Sequence, residues 1–159
     1  MLKEQLIQKL AETFEQLITV ATEAERRGAT CQENWWGPRE IVAHMAGWEV
    51  MATVRVPKIV AGMRPLEEAD EARQAVMNDA INATIVTMIG EQSLADVCGL
   101  LRQAYQRDTE MLKELDTSSF QPGEYVYERT KSVIEHCHEH MEGLVLKLKN
   151  VDYEKKARI

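Results

Sequence analysis

LKEQLIQKLAETFEQLITVATEA, residues 2–24, repeats its apolar side chains at intervals of three and four: Leu2, Leu6, Leu10, Phe14, Leu17, Ala21 and Ala24. At about 100° per residue these positions share one side of a helix, with Lys, Glu and Gln filling the other. The spacing predicts a long helix ending near Gly28, with a stripe that must be buried against other elements.

GATCQENWWG (28–37) reads as a connector, and Pro38 opens a second helix, because the first helical residue needs no hydrogen-bonding N–H. Ile41, Met45, Trp48 and Ala52 form its core stripe. The pattern runs on through Val56, Ile59 and Val60 to Gly62, with Pro57 as a kink position and Pro65 as a stop. LEEADEARQAVMNDAINATIVTMIG (66–90) has fewer apolar positions, and Thr84, Thr87 and its asparagines lower its propensity, so it reads as a helix without firm boundaries. Ser93 followed by Asp96 has the form of a helix cap, after which Val97, Leu101, Ala104, Met111 and Leu115 make a further stripe. TSSFQPG closes that helix. A last helix starts near Glu124, with Val126, Val133, Cys137, Leu144 and Leu148 on its inner face. No strand pattern of comparable length appears. The expected fold is therefore all-α, a four-helix bundle with an additional short connecting helix, forming one domain over residues 1–150 followed by a tail at 151–159.

Composition bounds the function. The 159 residues are 45% hydrophobic and 28% charged, a globular balance, and no apolar run approaches the roughly 18 residues that a membrane span requires. MLKEQLIQKLAETFEQL intersperses charge from the start, unlike a secretory signal, and three scattered cysteines (Cys31, Cys98, Cys137) suit free thiols in a reducing compartment. A cytoplasmic location is the expectation. Nineteen basic against 26 acidic residues give a net charge of −7, which repels phosphate backbones. KLKNVDYEKKARI (147–159) is the one basic stretch, read as a solvated tail complementing the last helix's negative end rather than as a nucleic-acid site.

Three of the four histidines fall in HCHEHMEGL (136–144), and the fourth is His44. His136 and His140 lie one turn apart on the same side of the last helix, at the edge of its apolar stripe, while His138 points nearly the opposite way. His44 sits about 60° from Ile41 and flanks its own helix's stripe. Three neutral imidazoles from two helices would make a facial nitrogen set for Zn²⁺, Ni²⁺ or a similar ion, with a coordination position left for water or substrate. The competing reading is a polar helix edge that happens to be rich in histidine.

Around this set stand weaker candidates. Cys137 reads as a small buried hydrophobe rather than a ligand. Asp108 occupies the middle of an apolar stripe and needs a partner, either a ligand histidine or Arg55 or Arg129. Arg55 and Arg129 fall near the helical edges of His44 and His136; solvated arginines are the ordinary case, an anion-holding pair the functional one. Trp35 and Trp36 either cap the end of the bundle or wall a pocket.

WWGPREIVAHMAGWE (35–49) and SVIEHCHEHMEGL (132–144), taken together, resemble the paired signatures of the DinB-like superfamily: a tryptophan-led turn, a helix with one histidine in an AHMAGWE-like context, and a final helix with HxxxH. A weaker likeness extends from about residue 2 to residue 149. DAINATIVTMIGEQSLADV (79–97) is similar to the segment these proteins place before their third main helix. The resemblance implies a four-helix bundle holding a divalent metal through three histidines, which map onto His44, His136 and His140. It also implies a thiol-dependent S-transferase or isomerase using a mycothiol-, bacillithiol- or glutathione-like cosubstrate, and pairing of two chains as a homodimer. Gly37 departs from the Ser or Thr that relatives often carry before the proline.

From these readings the expected function is a metal-dependent enzyme that activates a thiol or water against a small electrophile, of thiol-transferase or hydrolase type. The alternative is a non-catalytic metal- or ligand-binding bundle acting as a dimeric interaction or stress-protection module. Asp108, Arg55 and Arg129 are the candidates for catalytic roles.

Overall fold

The structure, a computed structural model, describes residues 2–32, 35–63, 71–89 and 91–157, with side chains to residue 149. It is all-helical: α1 (Leu2–Arg26), α2 (Pro38–Val60), α3 (Glu71–Ile89), α4 (Leu94–Glu114) and α5 (Tyr125–Ala157), with a 3₁₀ turn at Thr117–Phe120 before α5. The expected stop at Pro65 lies outside the described residues. The backbone of residues 151–157 continues α5.

The helix ends follow from local chemistry. Gly28 takes a positive φ of 97°, its N–H bonding to the Glu25 carbonyl while the Ala29 N–H reaches back to Ala24. That is the paired closure that only a residue without a Cβ completes cheaply. The Ser93 hydroxyl accepts from the Asp96 N–H, and the Asp96 carboxylate accepts from the Ser93 N–H, a reciprocal cap for α4. At the start of α2 the Glu40 carboxylate accepts the Gly37 N–H. A Cβ on Gly37 would lie 2.6 Å from the Cys31 nitrogen. Close passage of the 30–31 backbone, rather than capping, is what calls for glycine here.

The core is drawn from α1, α2, α4, α5 and the 3₁₀ turn. Leu10, Phe14 and Leu17 of α1 meet Val42 and Met45 of α2, Leu101 and Leu112 of α4, Phe120 and Leu144, all almost fully buried. α1 packs on α5 and α4, and α2 on α4. Burying such side chains is worth roughly 1.5–3 kcal/mol each, which fixes which faces turn inward.

α3 behaves differently. It runs for 19 residues, longer than the short connector expected, yet contains no buried residue among those described and packs on α2. Its threonines do not break it, because the hydroxyls of Thr84 and Thr87 turn back to the carbonyls of Ala80 and Ala83. It sits close to α2 at Gly47, where an added Cβ would lie 2.6–2.7 Å from three carbons of Ile85. This seat brings Asn82 over the histidine of α2.

Candidate metal centre

Three helix positions converge. His44 of α2 is buried, and its Nε2 lies 3.0 Å from Nε2 of His136, which in turn lies 3.1 Å from Nε2 of His140 on the next turn of α5. One ring nitrogen from each can be chosen so that all three lie within 4.8 Å of one another. His138 does not belong to this cluster, as its opposite helical direction requires.

The proton positions sharpen the picture. The Trp48 indole N–H, which can only donate, reaches Oδ1 of Asn82 at 2.7 Å, so that atom is an acceptor. The same oxygen is 2.9 Å from Nδ1 of His44. Nδ1 therefore carries the proton, and Nε2 presents a lone pair to the cluster. Nδ1 of His136 faces the Glu139 carboxylate at a longer 3.4 Å, which favours the same tautomer. Two lone pairs 3.0 Å apart repel unless something electropositive lies between them. Nitrogens about 2.1 Å from a tetrahedral ion stand roughly 3.4 Å apart, so the separations of 3.0 and 3.1 Å are close to the spacing a shared ion needs. The donor set fits a borderline divalent ion.

Electrostatics keep His44 and His140 neutral. Burial, followed by the neighbouring His136, lowers the pKa of His44 to about 4, and burial with the adjacent imidazoles lowers that of His140 to about 3. Both are unprotonated at neutral pH, as ligands must be. The Trp36 ring packs on His44 with centroids 5.1 Å apart, so of the two expected roles for this tryptophan it takes the wall. Lys147 anchors it: the ammonium donates to the Trp36 carbonyl at 2.6 Å and lies 4.2 Å above the half-exposed Trp35 ring. The outer side of His140 borders a cleft formed with these tryptophans and Lys147.

On the other side, His44 and His136 border a cavity of about 420 Å³, whose wall includes Arg55, Asn78, Tyr125 and Arg129. That size suits a small-molecule site. Arg55 is exposed at this cavity, as a solvated arginine would be. The expectation of a solvated Arg129 is corrected. Its side chain is only 11% exposed and is pinned between Asp108 and Glu49, at 2.7 Å from each. The reason is charge: two carboxylates turned into the core require a cation beside them. Of the partners open to Asp108, the structure places Arg129 there and not a ligand histidine. Cys137 is fully buried, and burial pushes its thiol up to about 12, so it remains a protonated core residue.

Sequence reasoning did not single out Asn82 or Glu49. Removing the Asn82 oxygen frees the His44 ring to rotate and to change tautomer. Asn82→Ala should weaken metal affinity about 10–100-fold with all three ligands present, the usual cost of losing an outer partner. Competition against a chromogenic chelator measures this, and unchanged affinity would remove Asn82 from the site.

No family model, curated protein or solved structure matches this chain. The likeness to the DinB-like superfamily accordingly stands on its two motifs alone. Among the described residues no helix is long and apolar enough to cross a membrane.

Proposed function

We propose that the chain is a metal-dependent enzyme of the DinB-like type, a four-helix bundle of α1, α2, α4 and α5 with α3 appended. In this reading His44, His136 and His140 hold a divalent ion, Zn²⁺ or Ni²⁺. The observation that carries it is the convergence of three Nε2 atoms, one with its tautomer set by Asn82, beside an open cavity rather than in a closed shell. A structural metal is shut in by four protein ligands, whereas three ligands and a cavity suit an exchangeable position.

When bound, the ion supplies Lewis acidity that makes a thiol or water nucleophilic near neutral pH. The chain's own residues do the rest. Asn82 orients His44, Trp36 excludes water from the inner side of its ring, and Arg55 offers a cation to an anionic group of a small thiol or its electrophilic partner. Cys137 is too buried and too weakly acidic to serve as a protein nucleophile. A low-molecular-weight thiol from solution is the cosubstrate in this reading, in a cytoplasmic setting. The net charge of −7 disfavours nucleic acid.

The test is thiol consumption by metal-loaded protein, with a panel of small thiols and an alkylating electrophile. Chelation and His44→Ala should each abolish the protein-dependent rate. A rate indifferent to both, or none with any thiol or with water, would favour the alternative of a non-catalytic binding module.

Self-association belongs to the same proposal. α3 has no fully buried residue among those described, it leaves Val76, Met77 and Met88 exposed, and Met88 shares an apolar groove with the exposed Val50 of α2, an area fit for a second copy. Sedimentation should give a dimer at micromolar concentration. A species of monomer mass alone would count against it.

A further inference from the structure

The cavity wall carries a charged array that the proposed chemistry does not use. Glu49 of α2 and Asp108 of α4 are 1% and 0% exposed, and each places one carboxylate oxygen 2.7 Å from a different terminal nitrogen of Arg129 on α5. Each also has a second oxygen, Oε2 of Glu49 and Oδ1 of Asp108, that is buried without a hydrogen-bond partner. Buried acceptors left bare are costly, and here two occur together. Both carboxyl groups meet the same guanidinium on its two terminal nitrogens, and Asp108 stands close enough to raise the proton affinity of Glu49. A single proton between them would satisfy both bare oxygens at once. It would also balance the charge, because two carboxylates against one guanidinium leave one negative charge in a place with little water to solvate it.

We propose that Glu49 and Asp108 share one proton across the Arg129 guanidinium, so that the wall of the histidine cavity is neutral when the proton is held and anionic when it leaves. Arg129 keeps its charge throughout, since the two carboxylates more than offset what burial costs it. The titratable groups facing Glu49 are Arg129 and Cys137 of α5 and Asp108 of α4, and the thiol of Cys137 is neutral. Across the cavity stand Arg55, Tyr125, His44 and His136.

The direction of the pH effect follows. Burial, opposed by Arg129 and reinforced by Asp108, raises Glu49 from 4.5 to about 8. The folded chain then holds a proton that the unfolded chain has released, so this contribution to stability is full below 4.5 and is lost as pH rises through about 8. The loaded cavity would meet the same change, becoming less hospitable to an anion at alkaline pH.

The test uses the full chain freed of metal by chelation, so that failure of the metal reading leaves it intact. Infrared difference spectra between about pH 6 and about pH 10 should show the carbonyl band of a protonated carboxylic acid at the lower pH, shifted in heavy water and lost at the higher. In Glu49→Gln the amide stands in for the protonated acid and donates to Asp108, so the variant should fold, lack the band and lose the alkaline fall in melting temperature. In Asp108→Asn, Glu49 is left alone with Arg129 as an ordinary ion pair, and the band should also vanish. Absence of the band from the wild type at the lower pH, its persistence in either variant, or failure of Glu49→Gln to fold would overturn the proposal.

Discussion

Arg129→Met should destabilise the fold by about 3–5 kcal/mol near neutral pH, the cost of removing one partner from a buried charged set. Methionine fills most of the space of the arginine stem, so the loss reports charge more than volume. Glu49 and Asp108, at 1% and 0% exposure, would then face each other without a cation. Both would bind protons more tightly in the folded chain than in the unfolded one, so the deficit should shrink as pH falls toward the ordinary carboxylate range. Chemical denaturation at two pH values measures this. A loss below about 1 kcal/mol, typical of an exposed pair, would mean that the array is solvated.

His140→Ala should abolish metal retention while His138→Ala leaves it unchanged. Of these two, His140 places its Nε2 3.1 Å from that of His136 and His138 is outside the cluster, and neither alanine nor water replaces a positioned nitrogen. The expected loss of affinity exceeds the roughly hundredfold that an outer partner costs. Because the ion binds the folded site in preference to the unfolded chain, metal at a thousandfold excess over Kd should stabilise the wild type and His138→Ala by about 4 kcal/mol. His140→Ala should lose most of that. Equal metal content and equal chelator sensitivity in the two variants would return HCHEHMEGL to a polar helix edge.

Periodicity made most of this legible. The stripes of α1 and α4 lie inward much as their spacing predicts, with Leu10, Phe14, Leu17, Val97 and Leu101 all at or near zero exposure, and the opposite directions of His138 and His140 follow from helical geometry alone. Asp108 announced itself as a carboxylate on an apolar stripe. The same argument applies to Glu49, the last residue of AHMAGWE, since Met45, Glu49, Ala52 and Val56 share a face of α2. The burial of Arg129 is hidden in the sequence for a related reason: it depends on the carboxylates that α2 and α4 bring to it, and no single helix records that. α3 was the least legible element. Its apolar residues encircle it rather than forming a stripe, and its asparagines argue against a helix until Asn82 is seen accepting from Trp48 and His44. A polar residue that lowers local propensity there serves a contact with a distant part of the chain.

The central claim, that His44, His136 and His140 form a metal centre, is tested most directly by the metal content of protein purified without an affinity tag, combined with X-ray absorption at the edge of whatever metal is found. The account predicts close to one divalent ion per chain, with a first shell dominated by imidazole nitrogen and completed by light, exchangeable ligands. Protein that holds no stoichiometric metal and takes up none from buffered Zn²⁺ or Ni²⁺ would contradict it.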